Sequence, residues 1–429
     1  MTRPEFDIEC FQNQYLPERA DVVHAVLTVT AAGAQSASVP SATEAADLSD
    51  RAELIILDTS GSMFGTKLHE AKAATATAIE NLPDGVRFGV ISGSHSATVV
   101  FPPSPPLAVA SASTRRNAIK ALRRLSADGG TAMGTWIALA ADVLREEPGF
   151  CHAILLTDGK NESEEPKDLR AALDAAEGSF QCDCRGVGAD WDVAELKMIA
   201  STLLGSYDIV AQPSELAADF SSMINEALTK QIPEVTMRVR TPRGAELVLL
   251  KQLEPILSDL NEAESDAGEQ TRDFKLGAWG EESRDYHLGV RVVPGEVDDE
   301  LLACRVSIVV DGEDVCHAKV LAVWTDDTAR STRINPRVAQ AMGEGELAEA
   351  IQDGIDAHRM GDEETATACF GRAVKLAAEH GNEDALTRLA TVVDIEDPGT
   401  GRVRPKEAVD DTDVMIVETR SVRTVRAKP

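Results

Sequence analysis

The chain has 429 residues, 43% of them hydrophobic, and its 42 Lys and Arg against 72 Asp and Glu give a net charge of −30 at pH 7. This acidity excludes a nucleic-acid binder that works by neutralising phosphates, and the length implies two to four domains. No stretch approaches the roughly 18 apolar residues of a spanning helix, and the N-terminus lacks the apolar core of a signal peptide. With seven scattered cysteines, these features predict a cytoplasmic protein with reduced thiols and no membrane span.

Two candidate strands open the chain, at 5–12 and 21–30, because both alternate apolar and polar residues and are rich in β-branched side chains. An Ala/Ser-rich linker follows, over 31–50. An isolated strand pair is barely stable in water. We therefore expect residues 1–51 to belong to a β-sandwich formed later in the chain, which would make the intervening segment an insertion.

Residues 52–230 alternate short apolar runs with helical periodicity. This alternation predicts a doubly wound, mostly parallel sheet covered by helices on both faces, an α/β fold. The predicted strands are 53–57, 86–91, 97–101, 151–156, 181–187 and 207–211.

After Pro233 the helical period disappears, and strands separated by turn signals predict an antiparallel β-sandwich over 231–335. Residues 336–391 return to helical periodicity and predict a C-terminal helical hairpin with Gly361 at its turn. From 392 to 429 the chain is polar and is predicted to be a flexible tail.

A set of oxygen ligands follows the ends of two predicted strands. The run LIILDTSGSMFGTKL places Asp58, Ser60 and Ser62 at alternate positions between a strand and a helix. Thr131 precedes a later helix in ADGGTAMGT, and Asp158 stands at the end of the predicted strand 151–156 in ILLTDGKNES. Open α/β sheets bind ligands at the carboxyl ends of their strands. Carboxylates and hydroxyls suit Mg²⁺, with Mn²⁺ or Ca²⁺ as alternatives, and do not suit zinc.

These motifs, in this order, resemble the von Willebrand factor type A domain and its metal-ion-dependent adhesion site, over roughly residues 52–228. The resemblance implies that Ser60, Ser62 and Thr131 supply hydroxyl ligands, and that Asp58 and Asp158 coordinate directly or through water. It also implies that the metal leaves one position for an Asp or Glu of a partner protein, so that the site bridges two proteins and performs no catalysis.

A basic stretch interrupts the acidic sequence. On a helical wheel, Arg116, Lys120, Arg123 and Arg124 occupy one arc of about 100°. The resemblance implies that this helix climbs toward the metal face. Two interpretations stay open: a solvated helix face, or a surface that steers an acidic partner toward the site.

Other features carry less chemistry. Cys182 and Cys184 alternate along a predicted strand, which favours core packing over a metal or redox site. The threonines among the C-terminal arginines, Thr419 and Thr424, are candidate phosphorylation sites in a segment that is otherwise expected to be disordered.

The sequence therefore predicts a non-enzymatic scaffold or adaptor that bridges Mg²⁺ to an acidic residue of a partner protein, and it leaves the oligomeric state open. One alternative is a regulatory subunit of an ATPase or chelatase machine, a role that the resemblance allows. A second alternative, a metal-dependent hydrolase, is disfavoured because no positioned base accompanies the ligand set.

Overall fold

The structure is a computed structural model in which the chain forms two compact units. The described residues are 4–33, 48–260, 264–266, 270–406 and 409–421. The α/β unit comprises Gly33–Pro233 and Gly277–Gly280. The sandwich–helix unit comprises Pro4–Ala32, Glu234–Leu276 and Glu281–Pro429. Along the chain, the α/β unit is thus inserted between parts of the sandwich–helix unit.

The chain begins with three strands of the sandwich–helix unit, which are β1 (Glu5–Gln12), β2 (Tyr15–Pro17) and β3 (Val22–Ala32). β1 and β3 pair antiparallel. Strand β3 is mostly buried, as expected for a strand with neighbours on both sides and a covered face.

The sheet of the α/β unit has the strand order β10-β9-β8-β4-β5-β6, with β7 also paired to β5. Its strands are β4 (Arg51–Asp58), β5 (Arg87–Gly93), β6 (Ala97–Phe101), β7 (Ala108–Val109), β8 (Phe150–Thr157), β9 (Gln181–Val187) and β10 (Tyr207–Val210). The central strands are parallel, whereas β6 and β7 run antiparallel to β5. The predicted α/β class, a mostly parallel sheet, is confirmed.

Helices cover this sheet because each carries an apolar stripe at helical spacing. They are α1 (Thr66–Asn81), α2 (Ala112–Leu122), α3 (Met133–Leu144), α4 (Pro166–Ala176), α5 (Val193–Thr202) and α6 (Leu216–Thr229). In α1 the stripe formed by Leu68, Ala71, Thr75 and Ala78, at helical spacing, is buried. Since the parallel strands end at one edge of the sheet, the loops that precede α1, α3 and α4 meet there.

A buried polar triad crosses three neighbouring strands of this sheet. His152 on β8 is 1% exposed, with Nδ1 2.8 Å from Glu53 Oε2 on β4 and Nε2 3.0 Å from Asp183 Oδ2 on β9. The second oxygen of Asp183 accepts hydrogen bonds from Ser206 N and Oγ. Burial alone would lower the pKa of His152, but the charges and hydrogen bonds of the two carboxylates raise it to about 10. The two acids therefore favour the protonated form of this buried imidazole.

The sandwich–helix unit contains two largely antiparallel sheets, with the orders β1-β3-β16-β12-β13 and β14-β15-β11-β17-β18-β2. Their remaining strands are β11 (Thr236–Arg240), β12 (Glu246–Glu254), β13 (Ser258–Asp259), β14 (Glu264–Asp266), β15 (Thr271–Lys275), β16 (Glu282–Arg291), β17 (Glu300–Val310) and β18 (Glu313–Thr325). Strand β3 pairs antiparallel with β16 from Val22↔Arg291 to Ala31↔Glu282. The N-terminal strands thus share a sheet with residues that lie about 250 positions later.

The C-terminal region follows a short helix, α7 (Thr328–Ser331). Its elements are α8 (Pro336–Arg359), α9 (Glu363–Glu379), α10 (Glu383–Val392), β19 (Val393–Asp397), β20 (Arg402–Pro405) and α11 (Asp411–Arg420). Helices α8 and α9 form the predicted hairpin, with Gly361 at φ +75° in the turn. Gly354 faces Phe370, and a Cβ added at Gly354 would lie 2.8 Å from that ring. Glycine therefore allows the two helices to pack closely.

The predicted flexible tail is wrong over the part of 392–429 that the structure describes. Strands β19 and β20 pair, and α11 buries Val414 and Val417 in the same apolar cluster as α8, α9 and α10. Arg359 of α8 also makes a bidentate ion pair with Glu418 of α11. Residues 392–429 are polar on average, but an apolar stripe of only three or four residues in α11 is enough to dock this helix onto the cluster. Across the described ranges, no helix is long and apolar enough to span a membrane.

Candidate metal centre

Asp58 is the last residue of β4, and its carboxylate is fully buried at the sheet edge. Its Oδ1 accepts a hydrogen bond of 2.7 Å from Ser60 N, and its Oδ2 accepts one of 2.6 Å from Thr157 Oγ1. Burial raises the pKa of Asp58, and these hydrogen bonds only partly oppose the shift. The carboxylate is thus held in one orientation and is shielded from solvent. A nearby cation would therefore stabilise its ionised form.

The two serines connect this strand end to the next. Ser60 Oγ lies 3.0 Å from Ser62 Oγ, which in turn donates a 2.6 Å hydrogen bond to Asp158 Oδ1. Asp158 directly follows β8 and is also fully buried. A 3₁₀ turn over Gly61–Met63, anchored by the buried Met63 side chain, carries the serines. Three of the five predicted ligands, Ser60, Ser62 and Asp158, are therefore joined through their side-chain oxygens, and the backbone N–H of Ser60 links Asp58 to them.

The fifth predicted ligand, Thr131, lies in the loop before α3, and backbone hydrogen bonds join this loop to the loop that follows β4. Asp128 N donates to Thr59 O and Gly61 N donates to Gly129 O, each over 2.8 Å. A Cβ added at Gly159, the residue after Asp158, would lie 3.3 Å from Ser62 Oγ and 3.5 Å from Thr131 Oγ1. The hydroxyls of Ser62 and Thr131 thus flank a single glycine, and the structure brings all five residues together.

The loop that follows Asp158 also positions Thr131, by capping the start of α3. The side chains of Ser163, Asn161 and Glu164 accept hydrogen bonds from the backbone N–H groups of residues 131, 133 and 134, over 3.0, 2.7 and 2.6 Å. Ala132, at the N-cap of α3, has no side chain to cap the helix. The loop after Asp158 therefore caps the start of α3 in place of Ala132. These hydrogen bonds hold the backbone of Thr131 in a fixed position relative to Asp158.

Lys67 also contacts the centre, although the sequence pattern did not predict it. Its Nζ lies 2.6 Å from Asp158 Oδ2 and 3.4 Å from Asp190 Oδ2. Lys67 is the second residue of α1, a position where the helix dipole disfavours a cation. A lysine in the first turn of a helix is the signal that could have identified Lys67. Thr157, which holds Asp58, was missed as well, although it stands directly before Asp158.

The donor set fits a hard divalent cation. Two carboxylates and three hydroxyls present only oxygen, which matches the preference of Mg²⁺ for oxygen ligands completed by water. In the portion of the chain that the structure describes, no group of three or more His, Cys, Asp or Glu side chains could hold a metal. That finding is compatible with this centre, because only two of its five candidate ligands are acidic.

The predicted basic arc is exposed on α2 and in the turn after it. Arg116, Lys120, Arg123 and Arg124 are all accessible to solvent. Asp128, whose N–H donates to the loop of the centre, stands four positions after Arg124. The C-terminal end of the arc is therefore linked closely to the metal-site loops. Arg115, outside the arc, instead donates to Leu82 O and pairs with Asp84.

Three further candidates can be placed. Cys182 and Cys184 are fully buried on β9, as core packing requires. Thr419 is 1% exposed and its Oγ1 donates to Met415 O within α11. The fold argues against phosphorylation of Thr419, because a kinase could reach the hydroxyl only if α11 left its packed position. Thr424 lies outside the described residues.

Comparison with known proteins agrees with this geometry. A solved structure of von Willebrand factor type A from Catenulispora acidiphila is 43% identical, has a TM-score of 0.92 and is matched over 99% of this chain and 98% of its own. The chain belongs to the von Willebrand factor type A family. Residues 54–161 of this type A protein match the von Willebrand factor type A domain, and residues 375–421 match the von Willebrand factor type A C-terminal domain. Proteins of this family generally mediate protein interactions.

Two other likenesses of this type A protein are more limited. The uncharacterized protein sll0103 of Synechocystis is 28% identical over 226 residues, which are 51% of this chain and 52% of that protein. The match thus spans about half of the length of that curated relative. The ArnB paralog VWA2 from Sulfolobus acidocaldarius is 14% identical with a TM-score of 0.58, over 97% of this chain and 98% of its own, which shows a shared fold.

Proposed function

We propose that this protein is a non-enzymatic adaptor that binds an acidic residue of a partner protein through Mg²⁺ at the centre formed by Asp58, Ser60, Ser62, Thr131 and Asp158. The observation that carries the proposal is the convergence of these oxygens at one sheet edge, with both carboxylates fully buried. A bound divalent cation supplies an open coordination position for a carboxylate. Mn²⁺ or Ca²⁺ would be accepted by the same donors.

The residues of the centre have separate tasks in this proposal. Thr157 and Ser60 N orient Asp58, and Ser62 and Lys67 orient the two oxygens of Asp158. Because these orienting groups are already in place, little rearrangement is needed when the cation binds. Binding is favoured over hydrolysis because Lys67, the lysine that contacts the centre, is paired with Asp158.

We also infer a cytoplasmic, bacterial location. Support comes from the cysteines at 10, 151, 182, 184, 304, 316 and 369, which are all free thiols in the structure. Unpaired cysteines are typical of proteins in a reducing compartment.

Affinity capture from the native host tests the metal bridge. The wild type and a Ser60→Ala/Asp158→Ala variant would each be used as bait, with Mg²⁺ or with EDTA. We expect a set of proteins that only the wild type with Mg²⁺ retains, and that EDTA releases. A Ser126→Ala/Asp190→Ala bait, which changes two exposed residues outside the ligand set, should behave as the wild type. Identical proteins on all baits under both conditions would show that the bridge is wrong.

The basic arc yields a kinetic prediction. If it steers an acidic partner, the Arg123→Glu/Arg124→Glu variant should associate with a captured partner more slowly at low ionic strength, by about tenfold or more. The difference should shrink as salt is added, since exposed charges are screened over about 10 Å at 0.1 M salt. Stopped-flow or surface-plasmon association rates at several salt concentrations measure this. An association rate that matches the wild type at low salt contradicts steering and leaves a solvated helix face.

A further inference from the structure

Phe64 is an exposed aromatic side chain in the loop of the centre. It is 83% exposed, a value that only Met360 equals among the large hydrophobic side chains that the structure describes. Phe64 stands two residues after Ser62, and Ser62 itself is accessible to solvent. The short turn that carries the candidate ligand Ser62 therefore ends in a large apolar side chain that is exposed to solvent.

The local backbone holds Phe64 in this exposed position. Its N–H donates a 3.2 Å hydrogen bond to Gly61 O, which closes the 3₁₀ turn, and the neighbouring Met63 is fully buried. Gly65 then adopts φ +91°, a conformation that favours glycine, and α1 begins at the next residue. Because the turn, the buried anchor and the helix start fix both sides of Phe64, the exposure follows from the fold of the loop.

The charge at the centre indicates what would cover this side chain. Asp58 and Asp158 are buried carboxylates, and Lys67 contributes one positive charge at 2.6 Å from Asp158. A divalent cation would balance these two carboxylates, while Lys67 is shared with the exposed Asp190 at 3.4 Å. An open coordination position of the metal would then accept one further carboxylate. An acidic residue that binds there brings its neighbouring residues over the adjoining loop, where Phe64 presents apolar surface.

We propose that Phe64 forms an apolar subsite beside the metal, and that the partner segment carries an apolar side chain next to its acidic residue. This inference rests on the metal-bridging function proposed above. The carboxylate provides the metal dependence, and contact with Phe64 selects among the acidic segments that a partner could offer. The two requirements involve different atoms of the chain and are separable by mutation.

Selection from a random peptide library displayed on phage tests the subsite. Wild-type protein would be immobilised with Mn²⁺, and bound phage would be eluted with EDTA. We expect enriched sequences to contain Asp or Glu with a Leu, Ile, Phe or Met within two positions. The same selection on a Phe64→Ser variant should enrich the acidic residue without the apolar one.

Affinities of one selected peptide make the test quantitative. Phe64→Ser should weaken binding about tenfold, Phe64→Leu should restore most of the loss, and neither change should alter the affinity for Mn²⁺ itself. Val109→Ser is a matched control, because Val109 is 52% exposed and pairs with Arg87 at the opposite end of β5 from the metal edge. That variant should bind the peptide as the wild type does.

The outcomes separate the two proposals. Enrichment of acidic residues without an apolar neighbour on the wild type, or equal peptide affinity for wild type and Phe64→Ser, overturns the subsite and leaves the metal bridge intact. An absence of acidic residues among EDTA-eluted peptides overturns the metal bridge and the subsite together.

Discussion

Replacing His152 with alanine is expected to destabilise the α/β unit by about 3–5 kcal/mol, because the change leaves buried acids without their shared cation. Glu53 and Asp183 would lose ion pairs of 2.8 and 3.0 Å, and Glu53 is almost completely buried. For a unit of this size, the loss corresponds to a fall in Tm of about 6–20 °C. Urea unfolding and calorimetry measure both quantities. His69→Ala, at an exposed position of α1, is the control and should stay within about 0.5 kcal/mol of the wild type.

The same triad predicts a dependence of stability on pH. The pKa of His152 is raised from its ordinary 6.5 to about 10, so its protonated form stabilises the fold. The stability difference between the wild type and His152→Gln should therefore be fully present below pH 6.5 and should decline as the pH rises toward 10. A difference that is constant between pH 6 and 10 would show that the imidazole is neutral in the folded protein.

The second large effect concerns the metal. Asp58→Asn should lower the affinity for Mg²⁺ and Mn²⁺ by more than about 100-fold, because changes outside a ligand set already reduce metal affinity about 10–100-fold. Wild-type protein at a Mg²⁺ concentration of 100 times its Kd should gain about 2.7 kcal/mol of stability. The variant should gain almost none under the same conditions. Isothermal titration calorimetry and unfolding with and without the metal measure these changes.

Folding and metal binding can be distinguished in that experiment. Asparagine is nearly isosteric with aspartate and removes a buried charge, so metal-free Asp58→Asn should unfold at about the same urea concentration as the metal-free wild type. Asp190→Asn is the matched control, since Asp190 also faces Lys67 but its side chain is 78% exposed. Undiminished Mg²⁺ affinity in Asp58→Asn would remove Asp58 from the ligand set.

The sequence was sufficient for the order of strands and helices in the α/β unit, because short apolar runs and helical spacing are local properties. Four of the five candidate ligands could be placed at one sheet edge from the sequence, since Asp58, Ser60, Ser62 and Asp158 follow strand ends. Thr131 was placed only by its position before a helix, and the metal ligation itself stays a prediction. The buried triad could not be predicted from the sequence, because Glu53 and His152 each stand in or beside an apolar run. Only the pairing of β4, β8 and β9 shows that their charged groups lie next to each other.

Lys67 and Phe64 were missed for different reasons. Lys67 contacts a carboxylate that lies 91 positions later, so its partner depends on the fold. Phe64 has an apolar side chain, and a sequence pattern gives no indication of whether such a residue is buried. The C-terminal segment shows the same limit, because α11 is polar on average and depends for its stability on the cluster that receives Val414 and Val417.

The pairing of β3 with β16 has a consequence for synthesis on the ribosome. Thr30 and Ser283 are hydrogen-bonded neighbours 253 positions apart, and the whole α/β unit is translated between them. At about 5–20 residues per second, this interval lasts roughly 10–50 s. During that time β1 and β3 have no third strand, and the apolar edge of β3 is a template for unwanted strand pairing. A chaperone that covers nascent strands would therefore affect the yield of this protein more than its final stability.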